Sequence, residues 1–229
     1  MKYRCIIFDC DGTLIDTLDD IAAAMNQSLA EHGFPAVPVP QYRDMVGWGL
    51  SRLAFLALPE PARADETVAA VAARAQQLMD QQPPEQCLSK PYPGVKEMIT
   101  KLAEMKSSRS NRIYTAVLSN KPNSVLHRLM AHFFGQNAFD AICGLQHGVA
   151  PKPDPQSVWE TLTEFGRNPH DTVFMGDSEI DMETARNSGC YPLGVSWGFR
   201  SRAVLEKSGA ARIIDQPDQV WDILNRISI

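Results

Sequence analysis

Tyr3-Arg4-Cys5-Ile6-Ile7-Phe8-Asp9-Cys10-Asp11-Gly12-Thr13-Leu14 opens the chain with an apolar run that stops on two carboxylates two positions apart. A parallel strand covered on both faces reads as such a continuous apolar run, and open α/β sheets gather their ligands at the carboxyl ends of their strands. Asp9 and Asp11 occupy that end. A period of two places their side chains on one side of the sheet, although a backbone turning at Gly12 splays them. Neighbouring carboxylates are costly without a cation or a proton. The stretch therefore predicts a buried strand that delivers acids to a site.

Working outward, the periodicity becomes helical. Leu18, Ile21, Ala22, Met25, Leu29 and Ala30 recur at helix spacing, with Asp16, Asp19 and Asp20 suited to the positive end of a helix. From about Thr17 to Pro84 there is almost no strand-like alternation, and Gln81-Gln82-Pro83-Pro84 reads as a linker. This predicts a helical domain, residues 17–84, inserted into a core made of 1–16 and 85–229. The second part alternates helices (95–105, 123–133, 155–165, 181–188) with strands (113–118, 139–143, 172–175, 191–196, 211–214). Such alternation is the signature of a parallel sheet in an α/β fold. No internal repeat or low-complexity tract interrupts it.

The 229 residues suffice for one large or two small domains with a sizeable core. A net charge of −5 without a basic run argues against a nucleic-acid partner. The basic residues of 106–112 alternate with three serines and an asparagine and read as a solvated loop. No apolar run approaches the roughly 20 residues of a membrane span, and the strand pattern that follows Met1-Lys2 is interrupted by Asp9 too early for a signal peptide to be expected. Five scattered cysteines (5, 10, 87, 143, 190) form no C-x-x-C pair and fit a reduced compartment. A cytoplasmic protein, monomer or homodimer, is expected.

Three strands end on polar residues: Asp9 and Asp11, then Ser119-Asn120-Lys121-Pro122, then Gly176-Asp177-Ser178-Glu179-Ile180-Asp181. Between the second and third lies Lys152 in Pro151-Lys152-Pro153-Asp154-Pro155, where the prolines restrict the backbone. A rigidly held lysine suits a fixed anion.

Asp9-Cys10-Asp11-Gly12-Thr13-Leu14, the strand into Ser119-Asn120, Lys152-Pro153 and the Asp177 to Asp181 segment together resemble the four ordered motifs of the haloacid dehalogenase-like hydrolases, over nearly the whole chain. The closer resemblance is to the phosphoglycolate phosphatase-like branch. It implies a Rossmann-like parallel-sheet core with an inserted α-helical cap, and a phosphatase acting on a small phosphorylated metabolite such as phosphoglycolate. Asp9 is then the nucleophile that forms an aspartyl-phosphate, and Asp11 the general acid and later base, helped by a pKa raised by its ionised neighbour. Asp9, Asp177 and the Asp11 backbone carbonyl hold Mg²⁺. Ser119 and nearby backbone amides hold phosphoryl oxygens, with Asn120 and Lys121 beside them, and Lys152 balances charge. Asp181 orients Lys152 or a metal-bound water. Asp11 favours phosphate chemistry over dehalogenation, because a departing halide needs no proton.

Alternatives remain at this stage. The same branch includes phosphosugar mutases of the β-phosphoglucomutase type, and a non-catalytic binding protein with this fold is a further reading. Asp177 and Asp181 also fit helix caps, Ser119 a turn, and Lys152 a surface. Cys10 is expected to point away from its acidic neighbours into packing, and the five histidines form no metal-ligand spacing. In the helical insertion, Arg43-Asp44-Met45-Val46-Gly47-Trp48-Gly49-Leu50-Ser51-Arg52 resembles the specificity loop of such caps. Gly47 and Arg52 are its candidates for substrate contact, with Arg43 or Arg52 offered to a substrate carboxylate and Trp48 closing over the ligand.

Overall fold

Cys5, Ile6, Ile7 and Phe8 are completely buried because they form an inner strand of a six-stranded sheet. The computed structural model describes residues 2–106 and 112–225. In chain order these contain β1 (Cys5–Phe8), β2 (Ile15–Asp16), α1 (Leu18–Glu31), α2 (Val39–Met45), α3 (Leu50–Ala57) and α4 (Asp65–Gln81). Next come β3 (Lys90–Pro91), α5 (Val95–Met105), β4 (Tyr114–Pro122), α6 (Asn123–Phe134), β5 (Ala141–Leu145) and α7 (Gln156–Phe165). The chain continues through β6 (Thr172–Gly176), α8 (Glu179–Ser188), β7 (Tyr191–Val195), α9 (Arg202–Lys207), β8 (Arg212–Ile214) and α10 (Val220–Leu224). The centre of the loop expected at 106–112 lies outside the described residues.

The large sheet runs β5-β4-β1-β6-β7-β8, with every neighbouring pair parallel. Phe8 stands opposite Val117 on one side and Met175 on the other. The three strand ends that carry acids, serine and asparagine are therefore adjacent, and the chain reverses its direction of travel across the sheet at β1. That is the crevice where α/β sheets place ligands.

Sequence boundaries hold within a few residues, and the departures have local causes. β4 continues to Pro122 because its polar end stays extended, pairing Pro122 with Leu145 after a register shift beyond Leu118. α8 begins before Asp181 because Ser178 caps it: the Ser178 hydroxyl accepts from the Asp181 N–H, and the Asp181 carboxylate accepts from the Ser178 N–H. β2, β3, α9 and α10 were not anticipated, being too short to show a period.

β2 and β3 pair antiparallel, Ile15 with Pro91 and Asp16 with Lys90, so the two connections to the helical insertion run side by side. A second tie lies next to them. Asp20, in the first turn of α1, accepts hydrogen bonds from the Leu88 N–H (2.9 Å), the Ser89 N–H (2.7 Å), the Ser89 hydroxyl and Gln82 Nε2 (2.9 Å). Within the insertion, Tyr42 is fully buried and its hydroxyl donates to Asn26 Oδ1, while the Ser28 hydroxyl on α1 reaches the Val71 carbonyl on α4. Among the described residues no helix is long and apolar enough to cross a membrane.

Candidate active site

Asp9 stands where sheet pairing ends: its N–H donates to the Met175 carbonyl at 2.9 Å, and its side chain opens on a cavity between the sheet and the helical insertion. Cys10 points the other way and packs in the core. Burial, and then the charge of Asp11, push its thiol well above the usual range. Asp11 returns to the cavity. Gly12 follows with φ +86°, and a Cβ there would come within 2.7 Å of Asp177 Oδ1. Glycine is what allows the loop to cross that carboxylate.

Lys152 Nζ lies 2.7 Å from both Asp9 Oδ1 and Asp181 Oδ1. The other oxygen of Asp181 accepts from the Ser178 N–H (3.0 Å) and hydroxyl (2.6 Å). Asp177 Oδ1 accepts from the Thr13 hydroxyl (3.1 Å) and Oδ2 from the Phe199 N–H (2.7 Å). Desolvation pushes the Asp9 carboxyl up to about 7 against the pull of Lys152, and Asp181 and Asp11 push it the same way. Asp177 is driven well up by burial and by the charges of Asp181 and Asp9. Lys152 behaves oppositely. Burial would lower it, but Asp181 and Asp9 hold it charged well above the ordinary lysine value.

These acids are short of positive charge. Asp9, Asp177 and Asp181 place carboxylate oxygens within 4.8 Å of one another, and with Asp11 they set four acids against two paired lysines, Lys121 and Lys152. The deficit equals one divalent cation. Hard carboxylate oxygens are the donors that magnesium and similar ions take, and Asp9, Asp177 and Asp181 gather them in one buried cluster. The residues fit a metal.

A family model described as haloacid dehalogenase-like hydrolase matches residues 6–195, a span containing all of these groups. The chain belongs to that family. Over 99% of its length it is 28% identical to the N-acetylmuramic acid 6-phosphate phosphatase of Pseudomonas aeruginosa, covering 96% of that protein. It is 30% identical to the phosphoglycolate phosphatase of Pseudomonas putida, with 93% of this chain and 76% of that one aligned. A crystal structure from Lactobacillus delbrueckii subsp. bulgaricus, of a protein proposed to be a phosphoglycolate phosphatase, superposes with TM-score 0.85 at 29% identity, covering 98% and 99% of the two chains. The enzyme is thus a haloacid dehalogenase-like hydrolase with phosphatases among its relatives.

In this haloacid dehalogenase-like hydrolase, Asp9, Asp11, Ser119, Asn120, Lys121, Lys152, Asp177, Asp181 and Gly47 line one cavity. Several do something other than expected. Asp11 has more than an acidic neighbour: Lys121 Nζ donates to its Oδ1 at 2.9 Å and the Thr17 hydroxyl at 2.7 Å. Lys121 is thereby an ion-pair partner. The side chain of Asn120, expected at the phosphate, is fully used in holding backbone. Its Nδ2 donates to the carbonyls of Lys152 (3.1 Å) and Gly47 (2.9 Å), and its Oδ1 accepts from the Lys152 N–H (2.8 Å).

Arg52 stacks over the Phe55 ring, 4.9 Å from its centre, and is not among the residues that line the cavity. Arg43 reaches the Gly198 carbonyl (3.1 Å), and Trp48 is 42% exposed outside the lining. α3 carries Leu50 and Leu53 to the cavity in their stead.

The loop after β7 was missed. Phe199 binds Asp177, Trp197 Nε1 donates to the Thr13 carbonyl (3.0 Å), and Arg200 crosses to the helical insertion. Arg200 donates to the carbonyls of Arg43, Val46 (2.8 Å) and Asp44 (3.4 Å) while Glu179 holds it at 3.0 Å. The carboxyl end of a predicted strand was the available signal, but Trp197-Gly198-Phe199 offers no acid or hydroxyl to draw attention to it.

Proposed function

We propose that this hydrolase is a Mg²⁺-dependent phosphatase that hydrolyses a small phosphate monoester through an aspartyl-phosphate on Asp9. The observation that carries this reading is the pair of acids on one strand end, each opening on the cavity and each held by a different lysine. One carboxylate is placed to attack and the other to move a proton.

Asp9 attacks phosphorus in line, and the leaving oxygen takes a proton from Asp11. In the second step Asp11 accepts a proton from water, which cleaves the acyl phosphate and restores Asp9. Ser119 and the adjacent backbone amides orient the phosphoryl oxygens, and Lys152 balances their charge. Asp9, Asp177 and the Asp11 carbonyl would hold Mg²⁺, which when bound supplies charge neutralisation for the phosphoryl group. Asp181 keeps Lys152 in place, an assignment supported by the 2.7 Å contact. Residues 17–84 act as a cap over a core of 1–16 and 85–229, closing through Gly47 and the Arg43 to Val46 loop. Contacts of that loop with Asn120 and Arg200 support closure.

Substrates named for the relatives, phosphoglycolate and N-acetylmuramic acid 6-phosphate, define the first panel. The deciding experiment is release of inorganic phosphate from an aryl phosphate with and without Mg²⁺, in wild type and Asp9→Asn. Metal-dependent release that disappears in Asp9→Asn supports the reading. No release, release indifferent to Asp9, or return of the phosphoryl group to a second sugar hydroxyl overturns it.

A further inference from the structure

The cap-side wall of the cavity is apolar. Ile21, Val46, Leu50, Leu53 and Met79 face the core acids across it, and among the described residues lining the cavity the cations are Lys121, Lys152 and Arg200. Each already has a carboxylate: Lys121 has Asp11, Lys152 has Asp9 and Asp181, and Arg200 has Glu179. Arg200 in addition donates to three carbonyls of the 43–46 loop. The arginines that the sequence offered for a substrate carboxylate lie elsewhere, Arg43 on the Gly198 carbonyl and Arg52 over Phe55.

Charge decides what such a cavity accepts. With a divalent metal the four acids and two lysines are balanced, so a phosphate monoester brings two negative charges that Lys152, the metal and backbone dipoles must already serve. A carboxylate on the leaving group would add a third charge, placed against aliphatic side chains where, among the described residues lining the cavity, every cation already has a carboxylate partner. Burying an unpaired carboxylate is strongly unfavourable. A neutral group meets no such penalty.

We propose that the physiological substrate is a phosphate monoester whose leaving group is uncharged and partly apolar, and that 2-phosphoglycolate is a poor substrate of this enzyme. The inference rests on the phosphatase reading and narrows its substrate class. It departs from the phosphoglycolate expectation drawn from the sequence resemblance.

The test compares 2-phosphoglycolate with its carboxamide, which has nearly the same shape and lacks the charge. With Mg²⁺ at neutral pH, wild-type kcat/KM for the amide should exceed that for the acid by about tenfold or more, as expected for one unmet charge in a pocket. Leu50→Arg, which adds a cation to the wall from the partly exposed first turn of α3, should narrow or reverse that ratio. Equal efficiency, or a preference of the wild type for the acid, overturns the proposal. If neither compound nor an aryl phosphate releases phosphate, the phosphatase reading fails separately. Calorimetric Kd values for the same two compounds then still decide the charge preference, and tighter binding of the acid would reject it.

Discussion

Arg200 Nη2 on the core lies 2.8 Å from the Val46 carbonyl in the helical insertion, so one side chain, 9% exposed and steadied by Glu179, holds the 43–46 loop beside the cavity. Removing it breaks several bonds to backbone carbonyls that then lack donors. At about 1 kcal/mol for each such bond, Arg200→Ala should lower kcat/KM by about 10- to 100-fold. Most of the change should appear as increased KM. Faster amide exchange across 43–49 in the variant is the accompanying signature, and unchanged exchange would show that Arg200 does not hold the cap.

Replacing Asp9 with Asn removes the proposed nucleophile without changing its size. Activity should fall by about 10⁴-fold, the scale seen when a covalent catalyst is lost. Asp11→Asn should lower kcat most for esters with basic leaving groups and least for aryl phosphates, because a good leaving group needs less protonation. A rate series over leaving-group pKa measures this directly.

Lys152 neutralises two buried acids at once. Lys152→Met leaves Asp9 and Asp181 facing each other with no cation, and loss of one partner from a buried ion pair costs about 3–5 kcal/mol. The metal-free variant should therefore unfold at clearly lower urea concentration. Mg²⁺ should recover part of the loss by binding the folded state, a result read from melts with and without the ion.

Asp20 predicts a pH dependence away from the acid cluster. Burial alone would raise its carboxyl, but hydrogen bonds from Ser89, Leu88 and Gln82 outweigh it and hold the group below its ordinary value of 3.8. A depressed carboxyl stabilises the fold above the unfolded pKa and loses that contribution as pH falls through the folded one. Asp20→Asn should thus cost about 1–3 kcal/mol at neutral pH. The difference from wild type should stay constant down to about pH 5 and close below about pH 4. A difference that closed near neutrality would contradict this.

Much of the arrangement was legible in the chain because it follows local rules. Ile6-Ile7-Phe8 has the apolar continuity of an inner parallel strand, and Ser119-Asn120 and Asp177 end two more such runs. The helix that follows Asp177 was also legible, although its cap falls on Ser178 and not on Asp177 or Asp181. The two-residue strands β2 and β3 left no trace, since two residues have no period.

By itself, then, the sequence determined the α/β order, the inner strand, and the acids, serine and lysine that reach one sheet edge, since periodicity and strand ends are local properties. Only the tertiary structure decided the partners. Lys121 meets Asp11 across 110 positions, and Arg200 meets Val46 across 154. A long charged side chain settles on whichever carboxylates and carbonyls packing brings within its reach. That is why Arg43 and Arg52, promising as charges beside a glycine turn, lie off the cavity while Leu50 and Leu53 line it.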